Sequence, residues 1–190
     1  MIVSPETNFA RVFIAFPVVS SPAEKIQSIH KQNFSLDHIR WTPMRNLHIT
    51  LFFLGEVHNE TLDDISSAIS NVIMHSRSLN LEFEKVTIEG KNNKGGMIWV
   101  RFFKNVLFTA LHQNLYHAVE SYLGVQSVVT DPIPHITIAR FRKEAAIDKI
   151  NLSFEKTFSI HGIDACELWQ TIQTKEGVLY KSLEQFDFSN

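Results

Sequence analysis

The chain has a single cysteine, Cys166, in 190 residues. One thiol forms no internal disulfide, and it lacks the partners for a zinc cluster. The expectation is a small buried residue in a reducing, cytoplasmic protein. No apolar run is long enough to cross a bilayer, and Met1–Thr7 has no basic segment leading into an apolar one. Neither a membrane span nor a signal peptide is expected. Excess charge of one sign is also missing. A formal net charge of -2 argues against coating long nucleic acid through its phosphates, yet leaves room for a terminal nucleotide or one phosphate. Signatures of other chemistries are absent too: no G-x-S-x-G, no G-x-x-x-x-G-K-[ST] and no H-E-x-x-H. His112 and His117 lie five apart on one expected helix and face different ways. His30, His38, His58, His75 and His161 are isolated and read as surface or loop residues. No metal site and no cofactor are expected.

What the chain does have is a fragment that occurs twice. Leu47-His48-Ile49-Thr50-Leu51 and Pro134-His135-Ile136-Thr137-Ile138 each set a histidine and a threonine two residues apart among apolar neighbours. Side chains alternate faces along a strand, so His48 and Thr50 share one face and Ile49 and Leu51 the other. The same holds for His135 and Thr137. One His-x-Thr is a weak signal; two copies of His-Ile-Thr-(Leu/Ile) in strand-like settings are a specific one. If the two strands are neighbours, two imidazoles and two hydroxyls meet in one cleft. Histidine titrates near neutrality, so one ring can donate a proton while the other accepts one. Displacement at phosphorus needs both acts. Threonine hydroxyls can hydrogen-bond the non-bridging oxygens.

The surrounding pattern predicts the carrier. Strands are expected over Arg11–Val19, Leu47–Leu54 (stopping at Gly55), Leu79–Ile88, Met97–Phe103, His135–Phe141, Phe154–Ile160, Ala165–Thr174 and Val178–Phe188. Helices are expected from Pro22 to Gln32, over Leu62–Ile73 and Val106–Leu123, with a short one over Lys143–Lys149. Asn33–Arg45 reads as a loop, and Glu89–Gly96 as the long tip of a hairpin. Hairpins mixed with separated helices indicate an α+β fold in a single domain over residues 1–190. The motif histidines stand roughly 87 residues apart, each copy downstream of a helix, as in a duplication of architecture.

These blocks resemble the 2H phosphoesterases, most of all the RNA 2',3'-cyclic phosphodiesterases historically called 2'-5' RNA ligases. Arg11–Pro17 is similar to that family's opening strand. Asn46–Leu51 with Phe53–Val57 is similar to its first motif block, Pro134–Arg140 to its second, and Leu168–Thr171 with Gly177, Tyr180 and Leu183 to its final hairpin. Thr171 stands where the family often has Ser, which keeps the hydroxyl. The resemblance implies a bilobal α+β fold, two antiparallel sheets forming a central cleft with helices packed outside. It implies metal-independent opening of RNA 2',3'-cyclic phosphate ends, or of small cyclic nucleotides, to 2'-phosphomonoesters. His48 would be the proton donor to the 3' oxygen and His135 the proton acceptor that activates water, with Thr50 and Thr137 on the phosphate. The residues alone leave the acid and base assignment open. The reverse reaction, 2'-5' ligation, and non-catalytic binding of RNA ends or nucleotides remain as alternatives. A monomer is the default.

Three further positions carry expectations. Phe52 shares parity with His48 and Thr50, so it either lines the cleft, stacking on a base, or packs in the core. Arg140 lies five residues after His135, on the opposite face of a regular strand. The resemblance favours it as a phosphate contact, which requires a bulge or the strand's end before it. Arg142 and Lys143 extend this basic cluster, and Lys91 and Lys94 on the hairpin tip are candidates to guide RNA.

Overall fold

A computed structural model describes residues 8–18, 25–26, 28–29, 32–33, 37–92, 95–123, 131–142, 159–175 and 177–189. Its strands are β1 (Phe9–Pro17), β2 (Ile39–Trp41), β3 (His48–His58), β4 (Leu79–Asn92), β5 (Gly95–Phe102), β6 (His135–Phe141), β7 (Ser159–Ile163), β8 (Ala165–Thr174) and β9 (Gly177–Asp187). Two long helices, α1 (Leu62–Met74) and α2 (Val106–Val119), complete the frame. Of the described residues between β1 and β2, 25–26, 28–29 and 32–33 are helical.

The strands are joined antiparallel in the order β7-β4-β5-β6-β3-β1-β8-β9, with β2 added to β6. The order divides into two lobes. One holds β4, β5, β6, β7 and β2; the other holds β3, β1, β8 and β9. A single pair, Ile49 with Ile136, joins them through β3 and β6. So the two sheets expected from the resemblance are halves of one curled sheet, and the two motif strands are its seam. In antiparallel register, that pair sets Thr50 in line with His135 and His48 in line with Thr137.

One face of the sheet carries the main core. Val12, Ile14, Phe16, Ile49, Leu51, Val100 and Ile136 lie there, under Ile65, Ile69 and Ile73 of α1 and Phe108, Leu111, Leu115 and Val119 of α2. These helical positions recur at spacings of three and four, which is why both helices form and why each buries one stripe. Asn105 caps α2, its side-chain oxygen accepting from Phe108 N–H at 3.0 Å. On the opposite face Phe13, Ala15 and Trp169, with Tyr180 against them, form a small second cluster. Phe13 and Tyr180 of this cluster border the cleft.

Several expected boundaries shift. The chain extends straight through Gly55 to His58, the glycine taking φ 83°. Residues 39–41, expected as loop, form β2 because their backbone groups find the free edge of β6. The expected long tip at 89–96 is mostly ladder, since β4 runs to Asn92 and β5 starts at Gly95. Its polar, glycine-rich composition suits a close approach as well as a turn: a Cβ on Gly96 would lie 2.6 Å from Phe141 Cζ. The helix expected over 143–149 and residues 154–158 of the next strand lie outside the described residues, as do Lys94, Lys143 and the side chain of Lys91.

Candidate active site

Both motif strands break their alternation at the same place. The sequence of burial in His48–Leu54 and in His135–Phe141 is identical: half-buried, buried, half-buried, buried, buried, exposed, buried. Two buried residues in succession mean that the face has flipped. The ladders show the cause. Across from β3, Ala15 pairs with Thr50 and Ile14 with Phe52, which skips Leu51. Across from β6, Trp99 pairs with Thr137 and Ile98 with Ala139, which skips Ile138. Each strand thus has a bulge three residues after its histidine.

The bulges decide which side chains reach the cleft. Arg140 comes round to the face of His135 and Thr137, and lines the same cavity. At the matching position of β3 stands Phe53, 42% exposed and lining the cavity, while Phe52 is 6% exposed. The cleft-lining expectation for Phe52 is therefore corrected. Phe52 packs in the core against His112 and Tyr116, with ring centroids 5.1 and 6.3 Å away. Its parity argument fails because Leu51 is an extra residue in the ladder.

Each bulge leaves a carbonyl that the ladder does not take, and each finds a donor. Ile138 O accepts from Thr42 N–H at 2.9 Å. Leu51 O lies 2.8 Å from His112 Nδ1 on α2, and a carbonyl only accepts, so that nitrogen carries the ring proton. His112 is buried. It is no metal-ligand candidate but a clamp on the first motif strand.

His48, Thr50, His135, Thr137 and Arg140 all border one cavity of about 660 Å3. Arg11, Arg40, Asn46, Phe53, Trp99, Thr171 and Tyr180 share its walls. The two imidazoles are oriented alike. His48 Nδ1 is 2.7 Å from Asn46 O, and His135 Nδ1 is 2.8 Å from Ile133 O. In both, the ring bonds the carbonyl two residues back, so Nδ1 holds the proton of the neutral ring and Nε2 is left as the acceptor. At His48 that Nε2 takes the Thr50 hydroxyl at 3.1 Å. Asn46 is itself buried, and its amide donates to Val178 O at 2.8 Å, which ties His48's support to the β8–β9 hairpin.

Their surroundings differ. His48 packs among Phe13, Trp169 and Tyr180, with ring centroids 5.0, 5.3 and 5.1 Å away. Burial pushes its pKa down to about 4, against the pull of the Asn46 carbonyl, and the charges of His135 and Arg140 push the same way. His135 stacks on Trp99 at 3.6 Å. Burial lowers its pKa as well, opposed by the Ile133 carbonyl and the Glu89 carboxylate, and reinforced by Arg140 and Arg101. In these surroundings both rings are neutral at pH 7. An anion bound between them would raise both. Cys166 takes no part: it is buried, and burial pushes its thiol up to about 12.

Known proteins share this fold. The model of the LigT-like phosphoesterases matches residues 16–99, which include the first motif and stop short of the second. A curated RNA 2',3'-cyclic phosphodiesterase of Archaeoglobus fulgidus is 27% identical over 93% of this chain and 99% of its own. One from Methanocaldococcus jannaschii is 25% identical over the same shares. The fold is that of a Thermus thermophilus protein of known crystal structure, TM-score 0.81 at 20% identity over 94% of this chain and 97% of that one. Escherichia coli LigT superposes with TM-score 0.73 at 18% identity, over 97% and 100% of the two chains. With its curled antiparallel sheet and two long helices, the chain has the fold of these proteins and is similar to the LigT-like phosphoesterases.

Proposed function

We propose that this protein hydrolyses 2',3'-cyclic phosphates at RNA ends to 2'-phosphomonoesters, with His48 and His135 as the proton carriers. The observation that carries the reading is that two imidazoles, each with Nδ1 held by a backbone carbonyl, border one cavity together with Thr50, Thr137 and Arg140. The names of the curated relatives supply the substrate class. E. coli LigT, of the same fold, has been crystallised with 3'-AMP.

In this reading a cyclic phosphate sits between the two rings. One Nε2 takes a proton from the attacking water as the new P–O bond forms. The other ring, protonated, gives its proton to O3' as that bond to phosphorus breaks. Thr50, Thr137 and Arg140 meet the non-bridging oxygens, where charge is held. Because the rings supply both proton transfers and these three groups meet the charge, the reaction needs no metal. His48 is assigned as donor and His135 as acceptor on the resemblance. A bound anion first has to lift His48 from its low pKa, which the charge of the phosphate can do.

The test is single-turnover hydrolysis of a short RNA ending in a 2',3'-cyclic phosphate. His48→Ala and His135→Ala each abolish turnover, and a chelator leaves the wild-type rate intact. Near-full activity in either variant would falsify the two-histidine mechanism. Running the same site backward would join RNA ends by a 2'-5' linkage, but water at high concentration favours hydrolysis.

A further inference from the structure

Three arginines border the cleft, and among the described residues none forms an ion pair with a carboxylate. They are not equivalent. Arg140 acts on both imidazoles through its charge. Arg40 and Arg11 border the same cavity. Arg11 has an occupation, its guanidinium lying 5.3 Å over the exposed Phe53 ring.

Arg40 is the unexplained one. It sits on β2 directly across the ladder from Arg140. Cross-strand partners bring their Cβ atoms to about 5 Å, and like charges so placed destabilise a sheet. Arg40 also reaches across to the other lobe: a Cβ on Gly177, at the β8–β9 turn, would lie 3.6 Å from Arg40 Nη2. Arg140 turns instead toward β5, its Nη1 2.9 Å from Met97 Sδ, so two cross-strand arginines border one cavity with their guanidiniums reaching to different neighbours.

We propose that Arg40 holds the phosphodiester next upstream of the reacting phosphate, making the site selective for RNA chain ends over free nucleoside cyclic phosphates. This rests on the phosphodiesterase reading above. Consecutive phosphates in a ribonucleotide chain are themselves neighbouring anions, and two arginines on paired strands, both bordering one cavity, match such a pair. The second anion also relieves the repulsion between Arg40 and Arg140. A nucleoside 2',3'-cyclic phosphate has only the first anion and uses only Arg140.

The experiment compares kcat/KM for a trinucleotide ending in a 2',3'-cyclic phosphate with that for the nucleoside 2',3'-cyclic phosphate of the same base, in wild type, Arg40→Gln and Arg140→Gln. In Arg40→Gln the preference for the trinucleotide falls about 10- to 100-fold, and its salt slope becomes shallower by about 0.7. Arg140→Gln lowers both substrates and leaves the ratio. The unliganded Arg40→Gln protein melts at the wild-type temperature or higher, because a like-charge neighbour is gone. An equal loss on both substrates, or a lowered melting temperature, overturns the proposal while leaving the phosphodiesterase reading in place. A wild type that turns over neither substrate overturns both.

Discussion

The two motif strands are copies in shape and opposites in setting. Each places a histidine, a threonine and a bulge at the same steps, and each bonds its imidazole to the carbonyl two residues back. Around His48 the neighbours are rings, Phe13, Trp169 and Tyr180. Around His135 a carboxylate, Glu89, offsets part of the burial. The local geometry thus fixes which atoms face the cavity, and the surroundings fix how easily each atom takes a proton. A pair built this way differentiates two chemically identical groups without moving either.

The most direct way to break the comparison is to remove one half. His48→Ala or His135→Ala should each cost about a thousandfold or more in kcat, the upper range for a lost general acid or base. Comparable losses are expected despite the different settings, since each proton transfer is needed once per turnover. The measurement is single-turnover cleavage, read alongside circular dichroism to show that the variants fold.

The next test separates shape from parity. Phe52→Ala should cost about 3–5 kcal/mol of stability, because Phe52 is a core ring whose removal leaves a cavity. Phe53→Ala, at the exposed cleft position, should cost well under about 1 kcal/mol of stability and fall on KM instead. Urea melts and steady-state kinetics on the two variants decide it. The opposite pattern would mean that the bulge at Leu51 is not where the ladder puts it.

A smaller effect probes what holds each bulge. His112→Leu strips the donor from Leu51 O and should cost about 1–3 kcal/mol, the penalty for a buried carbonyl without a partner. His112→Gln, which can still donate, should recover part of the loss. Thr42→Val, which removes the hydroxyl bonded to Thr137 O at 2.8 Å, should cost about 1 kcal/mol. Of similar size is the pH effect on the unliganded protein. The folded pKa of His48 lies below its ordinary value, so the unfolded chain binds the extra proton. Stability is then full above about 6.5 and falls as the pH drops toward about 4. Melting temperatures across that range check the sign, and the slope should flatten in His48→Ala.

Much of this is legible in the residues. Alternation in His48–Leu51 and His135–Ile138, the stripes of both helices and the β8–β9 hairpin depend on local patterns that a sequence displays. The bulges do not. Nothing in Leu51 or Ile138 distinguishes an extra residue from a paired one, and only the partner strands reveal the count. Hence parity puts Phe52 on the wrong face, while for Arg140 the sequence leaves a bulge or the strand's end open, and the structure has the bulge, at Ile138. A signal is available in comparing the two copies. Taking Arg140 as a cleft residue puts Phe53, its counterpart in the first motif, in the cleft as well. Arg40, Asn46, Trp99 and His112 are out of reach for another reason. They act through contacts between segments far apart in the chain, and β2, which carries Arg40, forms only because β6 offers it an edge.

The central claim is that both imidazoles meet one phosphate. A crystal structure with a bound nucleoside 2'-phosphate tests it most directly. The expected result is one phosphorus centre with Nε2 of His48 and Nε2 of His135 each within about 3 Å of its oxygens, on opposite sides, and the Thr50 and Thr137 hydroxyls on the remaining ones. A phosphate held by one histidine, with the other turned away or bound to protein, would contradict it.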